Sequence, residues 1–284
     1  MTDDEQTPET TGTSEQAPAE AAPPDIESDD AVDRELRRMT RRGFLVAGVA
    51  AGVGYGGWAW LRSREPLGGM AWPFRRALEL NESLALAYFS GSRMSRTFRR
   101  DQITRARING GLGLSSDYYD ASRWALRIDG GPSPALLTMA DIHALPARQV
   151  ITELRCIEGW SYVVQWVGVR LADVIAKYPP PTRDGSRPDV VNHPEKLVRY
   201  VSIETPDRGY YVGLDMQSAL HPQTLLAYAM NDAPLTWQHG APLRLAIPVK
   251  YGIKNIKRTG TIRYTDVKPA DYWAERGYDW YAGH

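Results

Sequence analysis

The chain has 284 residues, of which 43% are hydrophobic and 10% aromatic. This supplies apolar material for one sizeable core or for two tightly joined lobes. Its single cysteine, Cys156, excludes an internal disulfide, a zinc site built from cysteines and an iron–sulfur cluster.

The 34 basic and 34 acidic residues balance, but residues 1–33 hold eleven of the acidic residues and none of the basic ones. The remainder carries a net charge of +11. Its arginines are scattered and no recognised binding module accompanies them, so nucleic-acid binding is not indicated.

The first 65 residues predict a tail followed by a basic and then apolar segment. Residues 1–33 are predicted to be disordered, because their acidic and small residues cannot bury enough apolar surface. Within residues 34–65, Arg41 and Arg42 precede a glycine-rich apolar run, and Thr-Arg-Arg-x-Phe-Leu resembles a twin-arginine export signal. The alternatives are a plain signal anchor and a buried helix. No small-x-small cleavage site follows, so residues 43–61 are expected to stay as an anchor with the C-terminal domain outside the cytoplasm.

Residues 66–114 are predicted to be a linker with a peripheral helix at 74–89, to which no chemistry is assigned. Residues 115–284 are predicted to form the functional domain. Its first half is expected to begin with a strand at 124–128 and a turn at 129–134. A helix at 139–145, opened by a capping box of Thr138 and Asp141, and a strand at 149–156 follow. The next element is a helix whose buried stripe is Leu171, Val174, Ile175 and Tyr178.

The second half of this domain predicts further alternating elements around basic residues. First come a strand at 199–203 and a helix opened by Pro222, with Leu225, Leu226 and Ala229 on its inner face. A turn at Asn231 and Asp232 leads to a strand in which Leu243, Leu245 and Ile247 face opposite to Arg244. A loop bearing Lys250, Lys254 and Lys257 precedes a last strand at 261–265. Neither a Walker nor a dinucleotide glycine pattern is present.

Cys156 lies at the predicted end of a strand, just before Gly159, which is a common position for a ligand site. Three interpretations remain open: a small buried hydrophobic residue, a nucleophile, and one soft metal ligand. A nucleophile requires a histidine base, for which the candidates are His143, His193, His221, His239 and His284. The downstream arginine and lysines, which could also be ordinary surface residues, favour a phosphorylated organic cofactor.

Two blocks of sequence resemble the sulfite oxidase family of molybdopterin-dependent oxidoreductases. Cys156-Ile-Glu-Gly-Trp-Ser with Trp166-Val-Gly-Val-Arg-Leu171 is similar to its molybdenum-binding block, and 239–245 with 248–257 is similar to its second block. The resemblance spans about residues 115–265 and is strongest to the exported bacterial branch that includes periplasmic methionine-sulfoxide reductases. It implies a mixed α+β fold like the molybdopterin-binding domain of sulfite oxidases.

The resemblance also implies roles for individual residues. Cys156 becomes the protein ligand of one molybdenum held by one molybdopterin, and either Tyr210 or Tyr211 becomes the tyrosine at the reaction centre. The positions that match cofactor-contacting residues are Ser116, Tyr119, Asp120, Thr205, His239, Arg244, Asn255, Ile256 and Lys257.

Three departures from the family pattern concern the direction of the reaction. His239 replaces the asparagine usual in the reductase branch, Arg258 replaces a tryptophan common in sulfite oxidases, and no Arg-x-Asn-His motif lies upstream. The resemblance implies oxygen-atom transfer, with reduction of a sulfoxide-type substrate favoured over sulfite-type oxidation. A haem membrane subunit or a c-type cytochrome is the implied electron partner, and the twin-arginine machinery the implied exporter. A non-catalytic, membrane-anchored binding module is the alternative of another class.

Overall fold

The computed structural model describes residues 29–64, 70–115 and 123–284. The predicted contacts Ser116, Tyr119 and Asp120 therefore lie outside the described residues. The chain divides into two compact units, Met1–Trp60 and Leu61–His284. The four-part organisation suggested by the sequence remains a prediction.

The first unit contains one long helix, α1 (Asp29–Arg62). Its stretch Arg37–Arg62 is long and apolar enough to cross a membrane, by length and composition alone, and a signal sequence near the N-terminus meets the same criterion. The helix begins within the stretch predicted to be disordered.

The second unit holds the other helices. They are α2 (Trp72–Tyr88), α3 (Met139–His143), α4 (Leu171–Lys177) and α5 (Met216–Ala219). The helix predicted at 74–89 is confirmed as α2. The predicted capping box is confirmed at α3, where the Asp141 carboxylate accepts from the Thr138 backbone N–H at 2.9 Å and the Thr138 hydroxyl accepts from the Asp141 N–H at 3.3 Å. The buried stripe predicted for the next helix is confirmed in α4.

Two five-stranded sheets form the rest of this unit. The first has the order β2-β1-β10-β5-β6 and the second the order β3-β4-β7-β8, with β9 also paired to β7. The strands are β1 (Leu126–Asp129), β2 (Ala135–Leu137), β3 (Ala147–Arg155), β4 (Ser161–Arg170), β5 (Tyr200–Glu204), β6 (Tyr211–Asp215), β7 (Leu225–Met230), β8 (Ala233–Pro234), β9 (Arg244–Ala246) and β10 (Thr261–Thr265). The expected mixed α+β fold is confirmed.

The first sheet contains one parallel pair, in which Arg127 of β1 is opposite Thr261 of β10. Its other pairs are antiparallel. Inward side chains of this sheet, such as Ile203 and Ile262, join Val169 and Leu245 of the second sheet in the main hydrophobic core. The core therefore ties the two sheets together on one face of the second sheet.

The second sheet is built on a long hairpin between β3 and β4, paired from Ala147 opposite Val169 to Arg155 opposite Ser161. A register shift follows Val167 where β4 meets β7. A Cβ atom on Gly168 would lie 2.2 Å from the Leu226 carbonyl oxygen, so only glycine fits this close approach. The shift brings Val169 to the main core, while Tyr162 and Trp166 pack in a second cluster.

One predicted element is wrong. Residues 225–230 are not a helix opened by Pro222 but the strand β7, which pairs with β4, β8 and β9. Its first three residues are all buried, so no amphipathic period distinguishes a helix from a strand in this run of six. Tertiary pairing on both edges therefore decides the conformation. The predicted turn at Asn231 and Asp232 is confirmed, and both residues have positive φ, as a tight hairpin turn requires.

Candidate active site

A cavity of about 330 Å³ opens above the second cluster of the second sheet. Four segments line it: the turn between β3 and β4, the stretch 107–112, the stretch 252–257, and the residues Trp273 and Tyr278 near the C-terminus. Arg244 of β9 and Tyr162 of β4 complete the wall. The cavity thus joins parts of the chain that are far apart in sequence.

Cys156 lies in the tight turn that connects β3 to β4. Its backbone N–H donates to the Trp160 carbonyl at 2.9 Å, and its carbonyl accepts from the Gly159 N–H at 3.1 Å. Gly159 has φ +87°, a conformation that glycine adopts readily. Burial raises the pKa of the partly buried Cys156 thiol. The turn presents a single thiol to the cavity, and no histidine hydrogen-bonds it in the described part of the chain.

Arg244 is a buried cation in the wall of the same cavity, not a solvated strand residue. Its guanidinium donates to the carbonyls of His239 and Asn255, each at 3.0 Å, and stacks 4.8 Å from the centre of the Trp166 ring. No carboxylate of the described residues pairs with it, and burial lowers its pKa. A buried charge without a counter-ion is costly, so this geometry suits a site that an anion completes.

Lys257 and His239 both lie close to Arg244, and Lys257 lines the cavity whereas His239 does not. Lys257 donates to the Asn109 and Gly110 carbonyls, and burial, followed by the nearby Arg244 charge, lowers its pKa to about 8. Burial, followed by the Arg244 and Lys257 charges, lowers the pKa of His239 to about 4. The buried Nδ1 of His239 has no hydrogen-bond partner within the described residues. Within the described residues, Arg244 and Lys257 therefore have no carboxylate partner, and His239 Nδ1 has no hydrogen-bond partner.

Gly240 holds the two basic loops against each other. Its φ is +95°, and a Cβ atom there would lie 2.7 Å from Lys257 Cβ and 2.8 Å from the Arg258 nitrogen. We expect Gly240→Ala to lower the free energy of unfolding by about 2–4 kcal/mol, since it combines backbone strain with a forced shift of neighbouring backbone.

The control for this prediction is Gly185→Ala. Gly185 also has positive φ, +73°, but nothing lies within 4 Å of the position that an added Cβ would take, so only the strain of about 1 kcal/mol is expected. Urea unfolding of the cofactor-free proteins measures both. Equal losses in the two variants would contradict the close approach at Gly240.

The low pKa of His239 predicts acid sensitivity. Between pH 6.5 and 4 the unfolded chain binds this proton more readily than the folded chain, so stability is present above pH 6.5 and is lost as the pH falls toward 4. The expected loss is up to about 3 kcal/mol. His284 has its pKa lowered to about 4 as well, chiefly by burial, and contributes a second share.

Urea unfolding of the cofactor-free protein at pH 7 and pH 4.5 checks this. His239→Gln and His284→Gln are each expected to reduce the pH dependence, and His221, whose pKa burial also lowers, accounts for a further part. An unchanged pH dependence in His239→Gln would refute the assignment.

The structure separates the two candidate tyrosines. Tyr210 is buried, lines the cavity, and donates its hydroxyl proton to the Ile253 carbonyl. Burial raises its pKa, so the hydroxyl stays protonated. Tyr211 points elsewhere and donates to Glu275. Only Tyr210 is therefore placed to act in the cavity.

The remaining predicted contacts are placed in different ways. Asn255 lines the cavity, although its side chain holds the loop by accepting from the Ile247 N–H at 2.9 Å. Ile256 is fully buried in the main core. The Thr205 hydroxyl is engaged within its own turn, donating to Asp207 at 2.6 Å. Neither Ile256 nor Thr205 lines the cavity, and their assignment stays a prediction.

Lys254, for which an exposed loop position was an open interpretation, is fully buried and paired with Asp271 at 2.5 Å.

Sequence reasoning missed several residues that line the cavity. The stretch 107–112 was assigned no chemistry, yet the Arg107 guanidinium lies 4.8 Å from the centre of the Trp160 ring at the Cys156 turn. Further missed wall residues include Tyr162, Trp273 and Tyr278. The only available signal was the density of arginine and glycine around residue 107.

The donor set indicates what this cavity can hold. In the described residues, no group of three or more His, Cys, Asp or Glu could hold a metal ion. A metal bound by Cys156 must therefore bring other ligands with it. Arg244, Lys257 and the unpartnered His239 nitrogen suit the phosphate and polar edges of an organic carrier. Site and fold together define a domain for an anionic organic cofactor that carries a metal.

Comparison with known proteins identifies this class. Residues 114–273, more than half of the chain, match the family described as oxidoreductase molybdopterin binding domain. The chain belongs to this family, and the expected cofactor, molybdenum on molybdopterin, is confirmed at the level of the family.

The chain is also similar to individual proteins. It is 38% identical over 157 residues to the protein-methionine-sulfoxide reductase catalytic subunit MsrP of Xanthomonas campestris pv. campestris, covering 54% of this chain and 48% of that protein. It is 35% identical over 173 residues to MsrP of Campylobacter jejuni subsp. jejuni, covering 58% and 57%. Among solved structures, the sulfane dehydrogenase SoxCD from Paracoccus pantotrophus matches with a TM-score of 0.44 and 18% identity, over 53% of this chain and 40% of that one. The chain spans about half the length of the curated relatives it matches.

Proposed function

We propose that this protein is a molybdopterin-dependent oxidoreductase that reduces a sulfoxide-type substrate outside the cytoplasm. The observation that carries the proposal is that one cavity is lined by both a thiol, Cys156, and a buried cation without a carboxylate partner among the described residues, Arg244. Similarity to the catalytic subunits of protein-methionine-sulfoxide reductases supports the substrate class. The overall reaction takes two electrons and two protons, and converts a sulfoxide to a sulfide and water.

In this proposal the residues of the chain bind and orient the cofactor and hold a proton near the substrate. Arg244, Lys257 and His239 hold the phosphate and polar edge of the cofactor, and Cys156 is the protein ligand of its metal. When bound, molybdenum on molybdopterin supplies two-electron oxygen-atom transfer chemistry. Tyr210, protonated because burial raises its pKa, holds a proton at its hydroxyl beside the reaction space.

The cavity wall gives the substrate both apolar and polar contacts. Trp160, Trp273 and Tyr278 offer aromatic surface for the carbon and sulfur atoms of a thioether. Arg107 lies at the same wall and is exposed, so its guanidinium can donate to the sulfoxide oxygen. The walls exclude bulk water from one side of the substrate while leaving the mouth open.

The relatives that this chain resembles are named as catalytic subunits, which supports the delivery of electrons by another protein. We propose a haem membrane subunit or a c-type cytochrome as the donor. Export by the twin-arginine route and anchoring by residues 43–61 complete the proposal, supported by the Arg41-Arg42 pair and the membrane-length helix.

Metal analysis and a two-direction assay test the function. The exported protein is expected to contain one molybdenum and one pterin per chain, and to reduce methionine sulfoxide with a reduced viologen as electron donor. Sulfite oxidation with ferricyanide is the competing direction, and faster sulfite turnover would reverse the proposed reaction. A protein without molybdenum, or a loaded protein inactive in both assays, would favour a non-catalytic binding module.

A further inference from the structure

The outward side of α2 is apolar and largely exposed, and within the described residues the Arg93 guanidinium contacts it at Tyr88. We call it the α2 outer face, and its members lie on one side of the helix at exposures of 60–72%: Phe74, Leu80, Leu84 and Tyr88. The opposite side is attached to the second unit through Arg75, which donates to the Ala274 carbonyl at 2.6 Å, and through buried Glu82, which pairs with Lys268. A surface helix of a soluble protein normally shows the reverse arrangement.

A cavity of about 360 Å³ adjoins the C-terminal end of this face. Phe89, Met94, Val249 and Tyr281 give it an apolar wall. The Arg93 guanidinium lies 3.9 Å from the centre of the Tyr88 ring, at the edge of the apolar area. Aromatic and aliphatic side chains bordered by arginine are typical of a surface that enters the headgroup region of a bilayer.

The position of α2 in the chain indicates which surface it meets. Nine residues, 63–71, separate α2 from the end of α1, and an extended chain of this length spans about 35 Å at most. The helix α1 is long and apolar enough to cross a membrane. A bilayer crossed by α1 is therefore within reach of α2.

We propose that the α2 outer face and its adjoining cavity lie in the phospholipid interface of the membrane that α1 spans. The inference rests on the proposed membrane anchor and adds a second, peripheral contact. It implies that the membrane is contacted at two segments of the chain, α1 and α2.

Photolabelling of the full chain in nanodiscs tests this. The discs contain phosphatidylcholine, phosphatidylglycerol and a phospholipid with a diazirine in its acyl chain, and labelled residues are mapped by mass spectrometry. We expect label on α1 and on residues 72–94. Val191 and Val267 are equally apolar and more exposed, at 80% and 77%, and should stay unlabelled.

A double variant, Leu80→Glu with Leu84→Glu, sharpens the test. Labelling of 72–94 is expected to fall about tenfold because both apolar contacts are replaced by charges, with α1 labelling unchanged. Leu136→Glu, at a residue 69% exposed elsewhere on the second unit, is the matched control and should change nothing. Cofactor content reports that each variant is folded.

Three results would overturn the inference. Label on α1 without label on 72–94 rejects the α2 contact alone and leaves the anchor intact. No label on either segment rejects the anchor and the α2 contact together. Two chains in each disc, with 72–94 unlabelled, would mean that a second copy covers the α2 outer face.

Discussion

Cys156→Ser is expected to reduce sulfoxide-reductase activity by more than about 100-fold while leaving the fold intact, since even residues that only orient a metal ligand cost 10–100-fold when lost. Serine preserves the shape of the turn, whose hydrogen bonds are made by the backbone. The free energy of unfolding should change by less than about 1 kcal/mol. Enzyme assays and thermal unfolding measure the changes in activity and stability. X-ray absorption at the metal edge is expected to show that the metal has lost one sulfur ligand.

Ser161→Ala provides the matched control in the same hairpin. The Ser161 hydroxyl donates to Glu153 at 2.5 Å and does not line the cavity. We expect this variant to keep its activity within a few-fold. Full activity in Cys156→Ser would remove the thiol from the mechanism and would return Cys156 to the interpretation of a small buried residue.

Arg244→Met is expected to separate cofactor binding from stability. The variant loses two charge-assisted donors toward an anion, each worth about 1.5–3 kcal/mol, so cofactor retention should fall by at least about 100-fold. In the cofactor-free protein, two effects offset each other. A buried, uncompensated charge is removed, but the His239 and Asn255 carbonyls lose a donor. The net change in unfolding free energy should stay below about 2 kcal/mol.

Arg199→Met is the control, because Arg199 is exposed and paired with Asp266 at 2.9 Å. It should retain its pterin fully. Pterin is quantified by fluorescence after oxidation, and unfolding is followed in protein made without cofactor. Normal pterin content in Arg244→Met would show that the guanidinium supports only the protein, and a large loss of stability would show that the carbonyl contacts dominate.

Local sequence signals were sufficient for much of the scaffold and for Cys156. Alternation placed the cysteine at the end of a strand, and β3 does end at Arg155. The capping box located α3, and the apolar stripe located α4. These signals act over a few residues, so they survive in any tertiary context.

Elements whose conformation or position depends on residues far away in the sequence could not be predicted from local patterns. The run 225–230 is apolar throughout, and only its neighbours β4 and β9 make it a strand. Likewise, the stretch 107–112 reaches the cavity because Lys257 bonds carbonyls nearly 150 positions earlier in the chain. No periodicity near residue 107 contains that information.

The choice between Tyr210 and Tyr211 shows the same limit at a finer scale. Adjacent residues at a strand start point in opposite directions, so an error of one position exchanges a cavity residue for a surface residue. The structure distinguishes the two tyrosines by their partners. Tyr211, the first residue of β6, donates its hydroxyl to Glu275, whereas the Tyr210 hydroxyl donates to the Ile253 carbonyl.

The parallel pairing of β1 with β10 has a consequence for how the protein is made. The first sheet joins Arg127 to Thr261, so it cannot close until the residues of β10 have left the ribosome. Lys257 lies just before β10, and Trp273 and Tyr278 follow it. The cavity is therefore complete only after all residues through Tyr278 have been synthesised, so we expect cofactor loading to follow the synthesis of all its lining segments.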